Sequence, residues 1–239
     1  MHSIYLKQIK ALLRLSETIE SMILAVTLGF DEKFAVRAVI RHSHSRLTRI
    51  VVITPALRAD ERTEAAIGSL REFLRRYLQI EDVERVEVSV DDCFDAVGEL
   101  VGMFDSWAGD AVTLNLSGGM RLLVIECLIG ALMSRTLMTI ELESEDGSAY
   151  LSFGNDYFDP AVFDEIDHTD KLILKYLTNK CSASSLSKLL DLPKSSAWRR
   201  VRKLERLGLV EVERVGRSLA VRPTDKGRVL RSIMRDLHR

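Results

Sequence analysis

The chain has 239 residues, 46% of them hydrophobic, and its 34 Lys and Arg nearly balance 35 Asp and Glu. That length suits one or two globular domains, and its longest apolar run, broken by Arg121 and Glu126, is no membrane span. Cys93, Cys127 and Cys181 are scattered without a Cys-x-x-Cys, which argues against a disulfide framework or zinc site and for a reducing cytoplasm.

Residues 1–21 carry Ile4, Tyr5, Ile9, Leu12, Leu13 and Ile19 at a rough helical period, an amphipathic extension without the compact apolar region of a signal peptide. Met22 is an alternative start. Residues 22–28 (MILAVTL) read as a buried strand, and Gly29 to Lys33 turn into a helix over 34–41, capped by Asp31. His42 and His44 read as solvated. A second strand over 49–54 ends at Pro55. Then come an amphipathic helix over 61–78, an alternating and more exposed strand over 83–90, and a helix over 94–107.

The fourth strand, 111–116, leads through Ser117-Gly118-Gly119 into a helix over 120–133. That helix is apolar on nearly every face, with Glu126 its only charge after the first turn. A helix apolar all round is buried on more than one side. A sheet covers one side; a second copy of the same helix is the expected cover for the other. Strands over 137–142 and 149–153 are joined by the hairpin signal Glu145-Asp146-Gly147.

Strands alternating with helices predict an α/β fold: a Rossmann-like open sheet, mostly parallel, of order 3-2-1-4-5-6, with the sixth strand antiparallel at the edge. The first and fourth strands are then neighbours where the order reverses, and ligands bind beyond their carboxyl ends. The loops there are 28–33 and 117–121. Glycines at 118 and 119 bring bare backbone close to a ligand. Arg121 sits in a first helical turn, where the macrodipole disfavours a cation, so free N–H groups plus this arginine make an anion site. No G-x-G-x-x-G, P-loop or nucleophile elbow occurs, which argues against a dinucleotide fold or P-loop hydrolysis.

Residues 155–165 read as a linker. The last 75 residues carry 18 Lys and Arg against 9 Asp and Glu, leaving the rest of the chain acidic; such a split suggests nucleic-acid contact at the basic end. Residues 166–239 read as a winged helix-turn-helix. Its helices cover 168–177, 183–190 and 195–207, the last stopped by Gly208. Strands over 209–213 and 218–222 flank a turn at 215–217, and a helix closes the chain over 224–237. In the third helix Ala197, Val201 and Leu204 share one face. The opposite face carries Ser195, Arg199, Arg202 and Lys203, with Arg200 and Trp198 at its flanks, and Ser196 is a further candidate DNA contact. That face suits the major groove of double-stranded DNA, and Arg214 and Arg217 put charge on the wing.

LNLSGGMR at the fourth strand, an open α/β domain without a dinucleotide fingerprint, and a C-terminal winged helix together resemble CRISPR-associated transcriptional regulators. In these, a CARF (CRISPR-associated Rossmann fold) sensor precedes the DNA-binding domain. The resemblance spans about residues 22–238, with domains at 22–154 and 166–239. It implies a homodimer whose sensor clefts bind a cyclic oligoadenylate, most often the tetra-adenylate, as a regulatory ligand across the dimer axis. By position, Thr27, Leu28, Gly29, Phe30 and Asp31 would line that ligand with Ser117, Gly118, Gly119, Met120 and Arg121. Met120 replaces a threonine of many relatives and loses a hydroxyl contact. Two other readings stay open: a ring nuclease cleaving the same ligand, and a dimeric winged-helix protein that senses no nucleotide. The resemblance implies neither a catalytic residue nor a metal.

Overall fold

The computed structural model describes residues 22–45, 47–56, 60–81, 83–158, 161–178, 180–215 and 218–236. The extension expected over residues 1–21 lies outside them. They divide into two compact units, one ending at Asp156 and the other beginning at Tyr157. No helix among them is long and apolar enough to cross a membrane.

The first unit runs β1 (Met22–Thr27), α1 (Lys33–His42), β2 (Leu47–Pro55), α2 (Glu61–Phe73), β3 (Val83–Val88), α3 (Cys93–Asp105), β4 (Ala111–Asn115), α4 (Arg121–Met133), β5 (Met138–Glu143) and β6 (Tyr150–Gly154). The strands form one sheet of order β3-β2-β1-β4-β5-β6. All pairs are parallel except β5 with β6, as the alternation of elements predicts.

Side chains alternate across each strand. Ile23, Ala25, Val51, Ile53 and Leu114 therefore face α3 and α4, where they meet Leu100, Phe104, Leu123 and Cys127. Leu24, Val26, Ile50 and Val52 face α1 and α2, where they meet Ala38, Val39, Ile67 and Leu70. Covering both faces is what makes the central strands continuous apolar runs. The helix predicted over 61–78 changes character at its end. Leu74–Leu78 form a π turn, and the Leu74 carbonyl accepts from the N–H groups of Gln79, left-handed at φ 56°, and Ile80.

The α4 helix packs closely on α3. A Cβ added to Gly130 would lie 3.0 Å from the Leu100 Cβ, so glycine sets the approach of the two helices. On its opposite side Leu122, Ile125, Ile129 and Leu132 form an exposed apolar stripe at helical spacing.

Glu126 is buried between these helices, and neither carboxylate oxygen has a hydrogen-bond partner. Burial pushes this carboxyl above the usual glutamate range. Burial also pushes the neighbouring Cys127 thiol up to about 12, which leaves it an inert core residue. The raised Glu126 means the folded state holds a proton that the unfolded chain releases, so stability falls as pH rises through the normal glutamate range towards the folded value. Glu126→Gln removes this loss. Thermal melts of both proteins from pH 4 to 8 are expected to show the variant gaining on the wild type as pH rises. A constant difference would mean that Glu126 is ionised in the folded protein.

The second unit contains α5 (Val162–Glu165), α6 (His168–Tyr176), β7 (Cys181–Ser182), α7 (Ala183–Leu189), α8 (Lys194–Arg206), β8 (Val210–Val215), β9 (Ser218–Pro223) and α9 (Asp225–Asp236). A three-stranded sheet, β7-β9-β8, supplies the wing. The stretch read as a linker is only partly one. Asn155–Phe158 forms a 3-10 turn, and Val162 and Ile166 are buried in the second core with Ile173, Leu174, Val201 and Leu204. The acidic residues around these two positions hide their apolar pattern in the sequence. The two-residue β7 is likewise too short to leave a periodic signal.

Candidate functional site

A cleft of about 750 Å³ opens beyond the carboxyl ends of β1 to β4. Its floor is made of backbone. A Cβ on Gly29 would meet the Gly119 Cα at 3.2 Å, and one on Gly118 would meet the Thr27 carbonyl oxygen at 3.0 Å. The loops after β1 and β4 thus touch without intervening side chains. Gly119 also has φ +93°, a conformation that only glycine adopts cheaply.

Hydrogen bonds pin these loops. Thr27 Oγ1 donates to the Gly118 carbonyl at 2.6 Å. Asn115 Oδ1 accepts from the Ser117 N–H at 3.1 Å, and Ser117 Oγ accepts from the Glu143 N–H at 2.9 Å. Behind them, buried Glu141 gathers Tyr150 Oη at 2.7 Å, Asn115 Nδ2 at 3.4 Å, Arg41 at 3.3 Å and His42 Nε2 at 2.8 Å. Burial raises the Glu141 carboxyl, but its bonds to His42, Tyr150 and Asn115 outweigh that and leave it lowered. His42 is therefore half-buried and partnered, not solvated as the sequence suggested. Its partner lies 99 positions along the chain, which no local pattern reveals.

Helix caps separate this loop from the others. Asp60 accepts from the Arg62 N–H to cap α2, and Asp92 accepts from two N–H groups to cap α3. At α4 the N-cap is Met120, which makes no side-chain cap bond. The first N–H groups of α4 are left for another acceptor. Asp31 Oδ1 accepts from the Lys33 N–H at 2.9 Å, which supports the start of α1, although the N-cap position itself is Glu32.

The residues expected around a ligand separate into three roles. Gly29, Phe30, Asp31, Ser117, Gly118, Gly119 and Met120 line the cleft. Arg121 is exposed beside them and has no salt bridge among the described residues. Thr27 and Leu28 are buried at 2% and 1%: the first spends its hydroxyl on Gly118, and the second packs under α1 and α2. The sequence missed the far wall, where Asp60, Thr63, Glu64, Arg85 and Glu87 also line the cleft. Glu87 and Pro55 stand at the carboxyl ends of β3 and β2, so the strand order itself was the available signal. Arg85 is neutralised there by Glu64 at 2.5 Å and Glu87 at 2.8 Å.

In the second unit α8 buries Ala197, Val201 and Leu204, as its phasing predicts. Ser195 and Arg199 are exposed and Ser196 is half-buried. Arg202 pairs with Glu205 at 2.6 Å and lies 4.5 Å over the Trp198 ring. Two of the expected DNA contacts point elsewhere. Arg200 binds Asp167 and Asp170, and Lys203 binds Asp170 at 2.7 Å, so both anchor α8 to α6. A basic residue in the sequence does not reveal a carboxylate 30 or 33 positions away. Arg214 is exposed on β8, opposite Leu219, whereas Arg217 lies outside the described residues.

Residues 22–154 match the family described as the Csa3 CRISPR-associated Rossmann-like domain. The chain belongs to the Csa3 family. Residues 166–211 of this Csa3 chain match a winged helix-turn-helix DNA-binding family. The CRISPR locus-related protein Csa3 of Saccharolobus solfataricus is 24% identical over 187 residues, 77% of this chain and 78% of its own length. FabT of Streptococcus pneumoniae, solved in complex with DNA, is similar over 35% of this chain at 21% identity and a TM-score of 0.31; the match spans 61% of FabT. The adhesin competence repressor of Streptococcus pyogenes is similar over 35% of this chain and 66% of its own, at 16% identity and a TM-score of 0.30. Its family and its winged helix make this Csa3 chain a CRISPR-associated DNA-binding protein.

Proposed function

We propose that the chain is a ligand-responsive transcriptional regulator of a CRISPR system, whose first unit binds a cyclic oligoadenylate, the tetra-adenylate foremost. One observation carries this reading. The α4 helix presents an N-terminus without a side-chain cap and Arg121, which has no salt bridge among the described residues, beside the cleft, and its outer side carries the exposed stripe Leu122, Ile125, Ile129 and Leu132. Uncapped N–H groups and an arginine suit phosphate. An apolar stripe on the same helix suits a second copy of that helix. Pairing through the stripe sets two such N-termini about one two-fold axis, and a ring of four identical nucleotides contains a matching axis.

In the dimer the ring favours the arrangement of the two copies that it binds more tightly. DNA contact falls to α8, through Ser195, Ser196, Arg199 and Arg202, and to Arg214 on the wing. The size of the DNA response is bounded by the ring's differential affinity for the two arrangements. Ile125, 51% exposed in the middle of the stripe, offers a direct check on the dimer. Ile125→Glu is expected to sediment as a folded monomer at concentrations where the wild type is a dimer; a dimeric variant would move the interface elsewhere. The function itself is tested by gel-shift titration of DNA from upstream of the gene, with and without cyclic tetra-adenylate. The expected result is a severalfold change in apparent affinity in the wild type, absent in Arg121→Ala. Identical curves with and without ring would exclude ligand control of DNA binding.

A further inference from the structure

The cations around the cleft are not equivalent. Lys33 is paired with Asp31 at 3.1 Å, Arg37 with Glu143 at 2.8 Å, and Arg85 with both Glu64 and Glu87. Among the described residues, Arg121 and Arg62 alone of this group have no carboxylate partner. Arg62 stands in the first turn of α2, where the helix dipole disfavours a positive charge. Its guanidinium lies 4.2 Å from the centroid of the Phe30 ring. Phe30 lines the cleft and is 56% exposed, so the fold does not need this ring for its core. An exposed aromatic ring bearing a flat cation, beside an anion-binding backbone, has the composition of a nucleobase-stacking surface.

The geometry points to Phe30 and Arg62 as the platform on which a base of the ligand stacks, opposite the phosphate-binding end at Gly118 to Arg121. This rests on the ring-sensing reading above and adds α2 to the site. The ring supplies an apolar π face. The guanidinium covers one face of that ring, leaves the other to the base and, without a carboxylate to hold it, can turn its N–H groups to a phosphate of the same nucleotide. Arg85 cannot take this role, because two carboxylates and the Thr54 hydroxyl already occupy its donors. Asp60, the carboxylate of that wall outside the Arg85 pairs, repels phosphate and so directs the ligand's base rather than its backbone to this side.

The test is equilibrium filter binding of labelled cyclic tetra-adenylate to the full chain and to Phe30→Leu, Arg62→Ala, Arg62→Lys and Arg121→Ala, with inorganic tripolyphosphate as a competitor that has no base. Phe30 and Arg62 are both exposed, so these variants are expected to fold, and melts of each confirm it. The expected result is a loss of about tenfold or more for Phe30→Leu and Arg62→Ala, the order of one stacked base. Arg62→Lys keeps the charge but not the plane and is expected to bind nearer to Arg62→Ala than to the wild type. Competition by tripolyphosphate is expected to be unchanged in Phe30→Leu and lost in Arg121→Ala. If Phe30→Leu and Arg62→Ala bind the ring like the wild type while Arg121→Ala does not, the platform is overturned and the sensor reading stands. A wild type that takes up no ring overturns the sensor reading and the platform with it.

Discussion

Gly119→Val is expected to lower affinity for cyclic tetra-adenylate at least a hundredfold while leaving the first unit folded. Gly119 has φ +93°, and a Cβ there would lie 3.2 Å from the Thr27 Cβ and 3.4 Å from the Leu28 N. A β-branched residue at positive φ costs on the order of 1–3 kcal/mol in strain. The neighbour it meets is backbone and buried threonine, which cannot step aside. The loop must therefore leave β1, and the cleft floor opens with it. Because β4 and the buried side of α4 are untouched, a melt is expected to shift by only a few degrees. Gly98→Ala is the control: nothing lies within 4 Å of a Cβ there, inside α3. It is expected to stabilise the protein slightly, by about 0.5–1 kcal/mol, and to leave ring binding unchanged. Undiminished binding by Gly119→Val would place the ligand away from these loops.

Asp170→Ala is expected to produce the largest loss in the second unit. Asp170 is fully buried and receives Arg200 at 2.8 Å on one oxygen and Lys203 at 2.7 Å on the other. It also completes a capping box with Asp167 at the start of α6. Its removal strips both cations of their shared partner and half of the cap, a cost of about 2–4 kcal/mol. The expected readouts are a clearly lower melting transition for this unit and weaker DNA binding at elevated temperature. Asn is expected to recover part of the loss through the cap alone. The remaining link is Asp167, whose carboxyl the Arg200 hydrogen bond holds down at about 2. A lowered carboxyl contributes stability that is present above the normal aspartate range and is lost as pH falls towards 2. The clamp between α6 and α8 is therefore expected to hold at mildly acidic pH and to release only in strong acid. A variant as stable as the wild type would show that Arg200 and Lys203 are anchored by other means.

The sheet order was legible because each strand of the first unit is a short apolar run bounded by turn residues, with room for one helix between parallel neighbours. That order sets the loops after β1 and β4 side by side, and in the structure Gly29 and Gly119 meet there. Other features depend on residues far apart in the chain. Lys203 shares a face with Arg199 by helical phase and Arg200 flanks it, yet Asp170, 30 and 33 positions away, claims both Arg200 and Lys203. His42 looked solvated because its partner Glu141 comes from the far side of the sheet's switch point. The carboxylate wall of Asp60, Glu64 and Glu87 belongs to α2 and β3, whose place beside the cleft follows from strand order but whose side-chain directions do not. Leu28 shows the reverse case. It is adjacent to the site in sequence, and strand alternation turns it into the core.

The most direct measurement is calorimetric titration of the wild type with cyclic tetra-adenylate, with Arg121→Ala alongside. Under the proposed function, in which two α4 N-termini share one ligand, saturation is expected at one ring per two chains, with the heat abolished or strongly reduced in the variant. A wild type that is folded and dimeric but gives no heat, or a variant that binds as well as the wild type, would contradict it.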